Sequence, residues 1–277
     1  MTSPTALRLL ACLGALLIAA CDLDTRPRDA GTGPRVISLS PALTRIVLEL
    51  GASGQLVGVD RFSHRLPGVD DAVDLGGLFA TDLERSVELA PTLVLAVGNR
   101  EQQSYFDAMR RRGARVETFE GHSLEEILHS YTRVGALLGR EVEATRLATR
   151  VRTLLDQLED GRAEVEARVA IVVAVDPLYV VGGGSFVNEL ITVVGATNVF
   201  ADLEQPYARV GLEALAERAP DVLIDTTRAA GEDDAARRHW QRHPWVKRVA
   251  VLPQGILTLP GPDLAEAAQM LRESLQP

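Results

Sequence analysis

The hydrophobic pattern changes character several times along the chain. Leu9 to Ala20 is an almost unbroken apolar run preceded by one charge, Arg8. A bilayer-spanning helix needs about 20 apolar residues, so this run fits the apolar centre of a secretory signal better. Residues 22–34 lose apolar periodicity and are rich in Gly, Pro and charge, the composition of a flexible tether. From Arg35 onward, short apolar runs alternate with segments of helical period. Val36–Leu39, Leu56–Val59, Leu93–Val97 and Val116–Phe119 read as strands, and Val169–Val175 suits a strand buried on both faces. Val222–Ile224 and Val249–Leu252 continue the series.

The helical segments carry their own boundary signals. Ser40-Pro41 opens a helix over Ala42–Leu50 that Gly51 closes. Another starts near Thr81-Asp82, and Ser123-Leu124-Glu125-Glu126 is a capping-box match for a helix ending at Gly139. A longer helix follows from about Glu141 to Glu159, with Leu147, Val151, Leu154, Leu155 and Leu158 on one apolar stripe. At 1.5 Å per residue it is about 30 Å long, roughly the width of a small domain. Further helices fit Phe186–Gly195 and Asp263–Leu275.

This alternation predicts an α/β fold with mainly parallel sheets. Two Rossmann-like lobes joined by one long backbone helix are expected. The expected organisation is a signal peptide over 1–20, a tether over 21–34, an N-terminal lobe over 35–140, a linking helix over 141–164 and a C-terminal lobe over 165–277. A rigid linking helix implies modest lobe closure.

Composition narrows the function. The formal net charge is −9, which argues against a nucleic-acid partner. The only cysteines are Cys12 and Cys21, so the rest of the chain has no disulfide, thiolate metal site or cysteine nucleophile. No Gly-x-Ser-x-Gly elbow, nucleophile–base set or Walker-type loop occurs, so neither an enzyme nor a resident cofactor is expected. His239 and His243 are four apart, but Arg237, Arg238, Arg242 and Pro244 favour a solvated face over a metal pair. Gly182-Gly183-Gly184-Ser185 lacks the Gly-x-Gly-x-x-Gly spacing and is expected to let backbone approach the ligand or the neighbouring lobe.

A pocket in such a fold sits at the C-terminal ends of strands. That rule nominates Phe62, His64, Arg65, Phe79, Asn99 and Arg100 from the first lobe. From the second come Tyr179, Phe186, Tyr207, Arg209 and Arg228. Aromatics offer flat apolar area and arginines clamp anions, although each position taken singly also fits a surface or core role.

Two resemblances extend this reading. Ile18-Ala19-Ala20-Cys21 resembles the lipobox of bacterial lipoproteins. That implies cleavage before Cys21, acylation of its thiol and an exported protein lipid-anchored to a membrane, with an ordinary signal peptide as the alternative. Arg35-Val36-Ile37-Ser38-Leu39-Ser40-Pro41, Leu56-Val57-Gly58-Val59-Asp60 and Asp82-Leu83-Glu84-Arg85 carry the second, together with Ala90-Pro91-Thr92-Leu93-Val94. Ser185-Phe186-Val187-Asn188-Glu189, Gly195-Ala196-Thr197-Asn198, Leu212-Glu213-Ala214-Leu215 and Ala219-Pro220-Asp221-Val222 continue it. In order, from Arg35 to the C-terminus, this series resembles the periplasmic binding proteins for cobalamin and ferric siderophores.

The family resemblance implies a ligand cleft between the two lobes and the solute-binding component of an ABC importer. It would capture cobalamin or a related corrinoid and deliver it to a permease dimer with separate ATPase subunits. A ferric siderophore or heme is the alternative ligand, and an exported α/β enzyme or a sensor lipoprotein the alternative of another class. By the same resemblance Glu84 and Glu213 dock on the permease, while each also suits the positive end of a helix dipole. Tyr207 takes the place of a pocket aromatic that is tryptophan in cobalamin binders. The first-lobe pocket tryptophan of some cobalamin binders has no counterpart near Gly76-Gly77. Trp240 and Trp245 instead lie toward the C-terminus, where packing between helix and strand is expected.

Overall fold

The structure is a computed structural model that describes residues 33–77, 80–161, 167–228 and 232–276. The expectations for Cys21, Phe79 and the last turn of the linking helix fall outside these residues. The first lobe contains β1 (Val36–Ser38), α1 (Pro41–Glu49), β2 (Leu56–Val59), β3 (Val73–Asp74), α2 (Leu83–Glu88), β4 (Leu93–Val97), α3 (Gln103–Arg111) and β5 (Arg115–Phe119). Its sheet has the order β3-β2-β1-β4-β5, with every neighbouring pair parallel. Pro41 occupies the start of α1, where its missing N–H costs no helical hydrogen bond.

Two helices lead out of this lobe, α4 (Leu124–Leu138) and α5 (Glu141–Asp160). They pack closely because Gly135 has no side chain. A Cβ there would lie 2.2 Å from the Ala144 Cβ and 2.9 Å from the Arg140 carbonyl oxygen. Ala144, Leu147, Val151, Leu155 and Leu158 form the buried face of α5. Leu154, expected on that stripe, is 43% exposed beside the last helix of the chain.

The second lobe contains β6 (Arg168–Val175), β7 (Leu178–Val181), α6 (Phe186–Val193), β8 (Thr197–Asn198) and β9 (Tyr207–Arg209). It continues with α7 (Leu212–Arg218), β10 (Val222–Asp225), α8 (Asp233–Gln241), β11 (Val249–Val251) and α9 (Leu264–Leu275). The sheet order is β11-β10-β6-β7-β9, with β8 beside β6. The mainly parallel expectation holds here with one exception, β7, which runs antiparallel to both β6 and β9. Only Asp176-Pro177 separates β6 from β7, and a two-residue connection can make a hairpin but no parallel crossover.

One apolar core runs through both lobes, beside a smaller cluster within each. It joins Leu43 and Ile46 of α1 to Tyr131 and Val134 of α4, Val151 and Leu155 of α5, Leu190 of α6 and Leu271 of α9. Three polar ties reinforce it. The Leu124 N–H donates to the Glu189 carboxylate at 2.9 Å, the Tyr131 hydroxyl donates to the Gly261 carbonyl at 2.7 Å, and Arg45 pairs with Asp263.

The α4–α5 contact gives a direct test. Gly135→Ala should destabilise the chain by about 1–3 kcal/mol, the usual cost of overpacking, in denaturant unfolding. No measurable loss would mean that the two helices can separate freely.

Candidate functional site: the interlobe cleft

The loops at the C-terminal ends of the first-lobe strands face the second lobe across a cleft of about 430 Å³. Ser40 follows β1, Val97 and Gly98 end β4, and Phe119, Glu120, Gly121 and His122 end β5. Across the cleft stand Ser185, Phe186, Pro206 and Tyr207, and the Thr258–Pro260 segment ahead of α9 forms part of the wall. The volume is of the size that small-molecule sites use.

Local hydrogen bonding fixes these residues. Ser123 caps α4 by accepting from the Glu126 N–H at 3.1 Å, as its sequence predicts. The Glu126 carboxylate reaches one residue further back than a capping box requires and accepts from the His122 N–H at 2.9 Å. The cap of α4 therefore also anchors His122 at the cleft. On the opposite wall Ser185 caps α6 by accepting from the Val187 N–H at 3.0 Å, which places Phe186 at the head of that helix.

The glycine run acts differently from its expected role. Added Cβ atoms on Gly182, Gly183 and Gly184 would fall 2.1, 2.1 and 2.0 Å from the carbonyl oxygens of Gln205, Ala201 and Glu204. The three glycines admit the 201–205 loop of their own lobe rather than ligand or the opposite lobe. Gly182 and Gly183 donate to the Pro206 and Leu203 carbonyls at 3.0 and 2.7 Å. This loop leads directly into Tyr207, which pairs with Val181 on the edge strand β9.

The cleft is largely apolar and holds little charge. Among its described lining residues the ionisable groups are Glu120, His122 and Tyr207, with neither Arg nor Lys present. Glu120 and His122 approach to 4.0 Å while both remain largely exposed. Burial pushes the Tyr207 phenol above its ordinary pKa, against the opposing effect of a hydrogen bond with Ser185. Among the described residues no cluster of three or more His, Cys, Asp or Glu could hold a metal ion.

Of the nominated residues, Phe186 and Tyr207 line the cleft. Phe62 is 60% exposed on a turn held by Asp60, whose carboxylate accepts from the Phe62 N–H at 2.8 Å. His64 and Arg65 are exposed on the same turn, and Arg100 is exposed after β4. Asn99 accepts from the Gln102 N–H at 2.8 Å and shapes the start of α3. Tyr179 and Arg209 face each other across β7 and β9 and line a separate groove, while Arg228 lies half-buried after β10. None of these lines the cleft. The strand-end rule applied after β5 would have found Glu120 and His122, whereas nothing in the local pattern marks Thr258–Pro260.

Glu84 and Glu213 hold equivalent places. Each is the exposed second residue of a short helix, α2 or α7. Each helix leads to an alanine at φ 43°, Ala90 or Ala219, immediately before a proline and the next strand. Arg35 donates to the Leu89 and Ala90 carbonyls, and Arg168 does the same for Arg218 and Ala219. The unit is built twice, once per lobe.

A family model described as periplasmic binding protein matches residues 36–252. The chain belongs to that family. A vitamin B12-binding protein of Salmonella choleraesuis is 30% identical over 79% of this chain and 81% of its own. An uncharacterised ABC transporter substrate-binding lipoprotein of Bacillus subtilis is 28% identical over 88% of this chain and 80% of its own. The crystal structure of a periplasmic heme-binding protein of Vibrio cholerae superposes with a TM-score of 0.78 at 21% identity, covering 88% of this chain and 99% of the other. This periplasmic binding protein is thus a two-lobed, exported solute-binding component of the ABC-importer type, from a family of binding proteins and not of enzymes.

The phenols set a pH dependence. Burial raises Tyr105, Tyr131 and Tyr207 above the ordinary value. In the unfolded chain they ionise first, near pH 10, so the folded state should hold its stability below that pH and lose it above. Denaturant melts across this range should show the decline, and Tyr207→Phe should make it shallower. A slope unchanged by Tyr207→Phe would mean that this phenol titrates as freely as in water.

Proposed function

We propose that the cleft captures cobalamin or a related corrinoid and that the protein delivers it to an ABC permease dimer driven by separate ATPase subunits. The observation that carries this reading is an apolar cleft without Arg or Lys among its described lining residues. An anionic ferric chelate calls for cations that hold its oxygens. A corrinoid presents broad apolar faces and amide edges instead, for which Phe119, Phe186 and Tyr207 offer ring surface and Ser40, Ser130 and Ser185 offer hydroxyls. Similarity to a vitamin B12-binding protein supports the same choice.

Heme is the second reading, favoured by the Tyr207 oxygen and the His122 imidazole at the one cleft, both donors that iron accepts. For the membrane side, Ile18-Ala19-Ala20-Cys21 supports acylation at Cys21, with residues 22–34 as the tether. Glu84 and Glu213 are the proposed contacts with the permease, each reaching out from a helix start on its own lobe.

Calorimetric titration with cyanocobalamin, hemin and a panel of ferric siderophores tests the ligand. Submicromolar one-to-one binding of cyanocobalamin alone is expected, and Tyr207→Ala should weaken it about tenfold, near 1.4 kcal/mol. Binding of hemin or a ferric chelate in its place would overturn the corrinoid assignment. For docking, charge reversal at Glu84 and Glu213 should abolish cobalamin-dependent growth in a strain relying on this protein, with ligand affinity unchanged. Normal growth would reduce both residues to partners of their helix dipoles.

A further inference from the structure

Both tryptophans of the chain lie in one ring cluster away from the cleft. His239 meets Trp240 edge-on at 4.9 Å between centroids, and His243 stacks on Trp245 at 5.6 Å. The cluster borders a surface groove of about 530 Å³. Val175, Leu178, Leu212 and Trp240 give it an apolar side, while His239, Arg242 and His243 give it a polar one.

Charge accumulates here against the trend of the molecule. Residues 237–248 contain Arg237, Arg238, Arg242, Lys247 and Arg248 and no acid, within a chain of net charge −9. Some of these cations are engaged elsewhere. Arg237 and Arg248 donate to backbone carbonyls, and Lys247 pairs with Asp221. Among the described residues Arg242 bonds within its own turn, donating to the His239 Nδ1 at 2.8 Å and to the His239 carbonyl at 3.3 Å. Nearby Arg228 has a buried Nε with no hydrogen-bond partner among the described residues. Asp225, an acid that acts on His239, already accepts from the Trp240 indole at 2.7 Å and from the Thr227 N–H and hydroxyl. Burial, Arg242, His243 and Arg228 together hold His239 below its ordinary pKa, against Asp225.

A guanidinium can only donate, so the His239 Nδ1 is the acceptor and the neutral ring carries its proton on Nε2. That protonated nitrogen has no lone pair to share with a metal ion, and two guanidiniums beside it repel one. The same features attract the opposite charge.

We propose that this groove binds a small organic anion, a phosphate monoester or carboxylate carried on a flat apolar body. The anion sits against Arg242, His239 and His243 with Arg228 close by, and the body lies on Trp240, Leu178 and Leu212. The site is separate from the cleft and independent of the ligand assigned there. An anionic phospholipid headgroup offers the same chemistry as a free phosphate monoester.

The placement of Trp240 and Trp245 makes the test direct, since all tryptophan emission arises at this cluster. The full chain is titrated with phenyl phosphate, and separately with phosphatidylcholine vesicles lacking or containing phosphatidylglycerol. A saturable emission change is expected, weakened about tenfold or more by Arg242→Ala as a charge-assisted contact requires, and less by Arg228→Gln, whose charge acts from outside the groove lining. Arg242 is exposed, so its removal should leave circular dichroism and the cyanocobalamin titration unchanged. A phenyl phosphate response supports a soluble anion. An Arg242-dependent response to phosphatidylglycerol vesicles alone supports a headgroup. No response to either, or a response that both substitutions leave intact, overturns the proposal.

Discussion

The continuous apolar core along α4 and α5 is the constraint on which the rest of the structure depends. Neither lobe keeps a core of its own on that side, because the buried face of α5 packs with α4 of one lobe, which in turn packs on α1, and with α6 and α9 of the other. Opening the lobes widely would expose this seam and strip it of apolar contact at about 25 cal/mol per Å². The cleft is consequently set by packing before any ligand arrives. For the binding role proposed above, selectivity would then rest on a largely preformed lining rather than on large-scale closure.

Within that frame, the termini of secondary structure position the cleft. The cap of α4 holds His122, the cap of α6 presents Phe186, and three glycines seat the loop that delivers Tyr207. The basic residues have other duties. Arg35, Arg168, Arg237 and Arg248 donate to backbone carbonyls, and Arg45 and Arg218 pair with Asp263 and Asp202. Much of the chain's cationic charge is thus committed to holding loops and helix ends. This is why an arginine-bearing sequence can fold around a cleft that is almost free of charge.

The parallel framework was legible because its signals are local. β-branched runs such as Val169–Val172 sit where burial demands them, and Pro41, Asp82 and Ser123 all flank helix starts. The antiparallel edge escaped because β9 has three residues and its partner strand is reached through a two-residue turn. The cleft was half legible. Strand ends nominated Phe186 and Tyr207, but the same rule swept in Arg65, Arg100 and Arg209, since sequence places a residue on a loop without saying which way it points. The glycine run shows the same limit: a close backbone approach was legible, but which backbone approached was a tertiary fact.

The repeated unit of short helix, left-handed alanine, proline and arginine clamp carries a consequence of symmetry. A two-fold partner meeting Glu84 and Glu213 would find two locally similar units, each with its carboxylate on the second residue of a short helix. Orientation must then be chosen by what the halves do not share. Asp82 caps α2 through its side chain, while Gly211 leaves the start of α7 without a side-chain cap. The α8 ring groove, reaching Leu212 at the head of α7, marks one lobe alone. Handedness of assembly would therefore reside in the irregular features beside the repeat, and the duplicated glutamates would supply grip without direction.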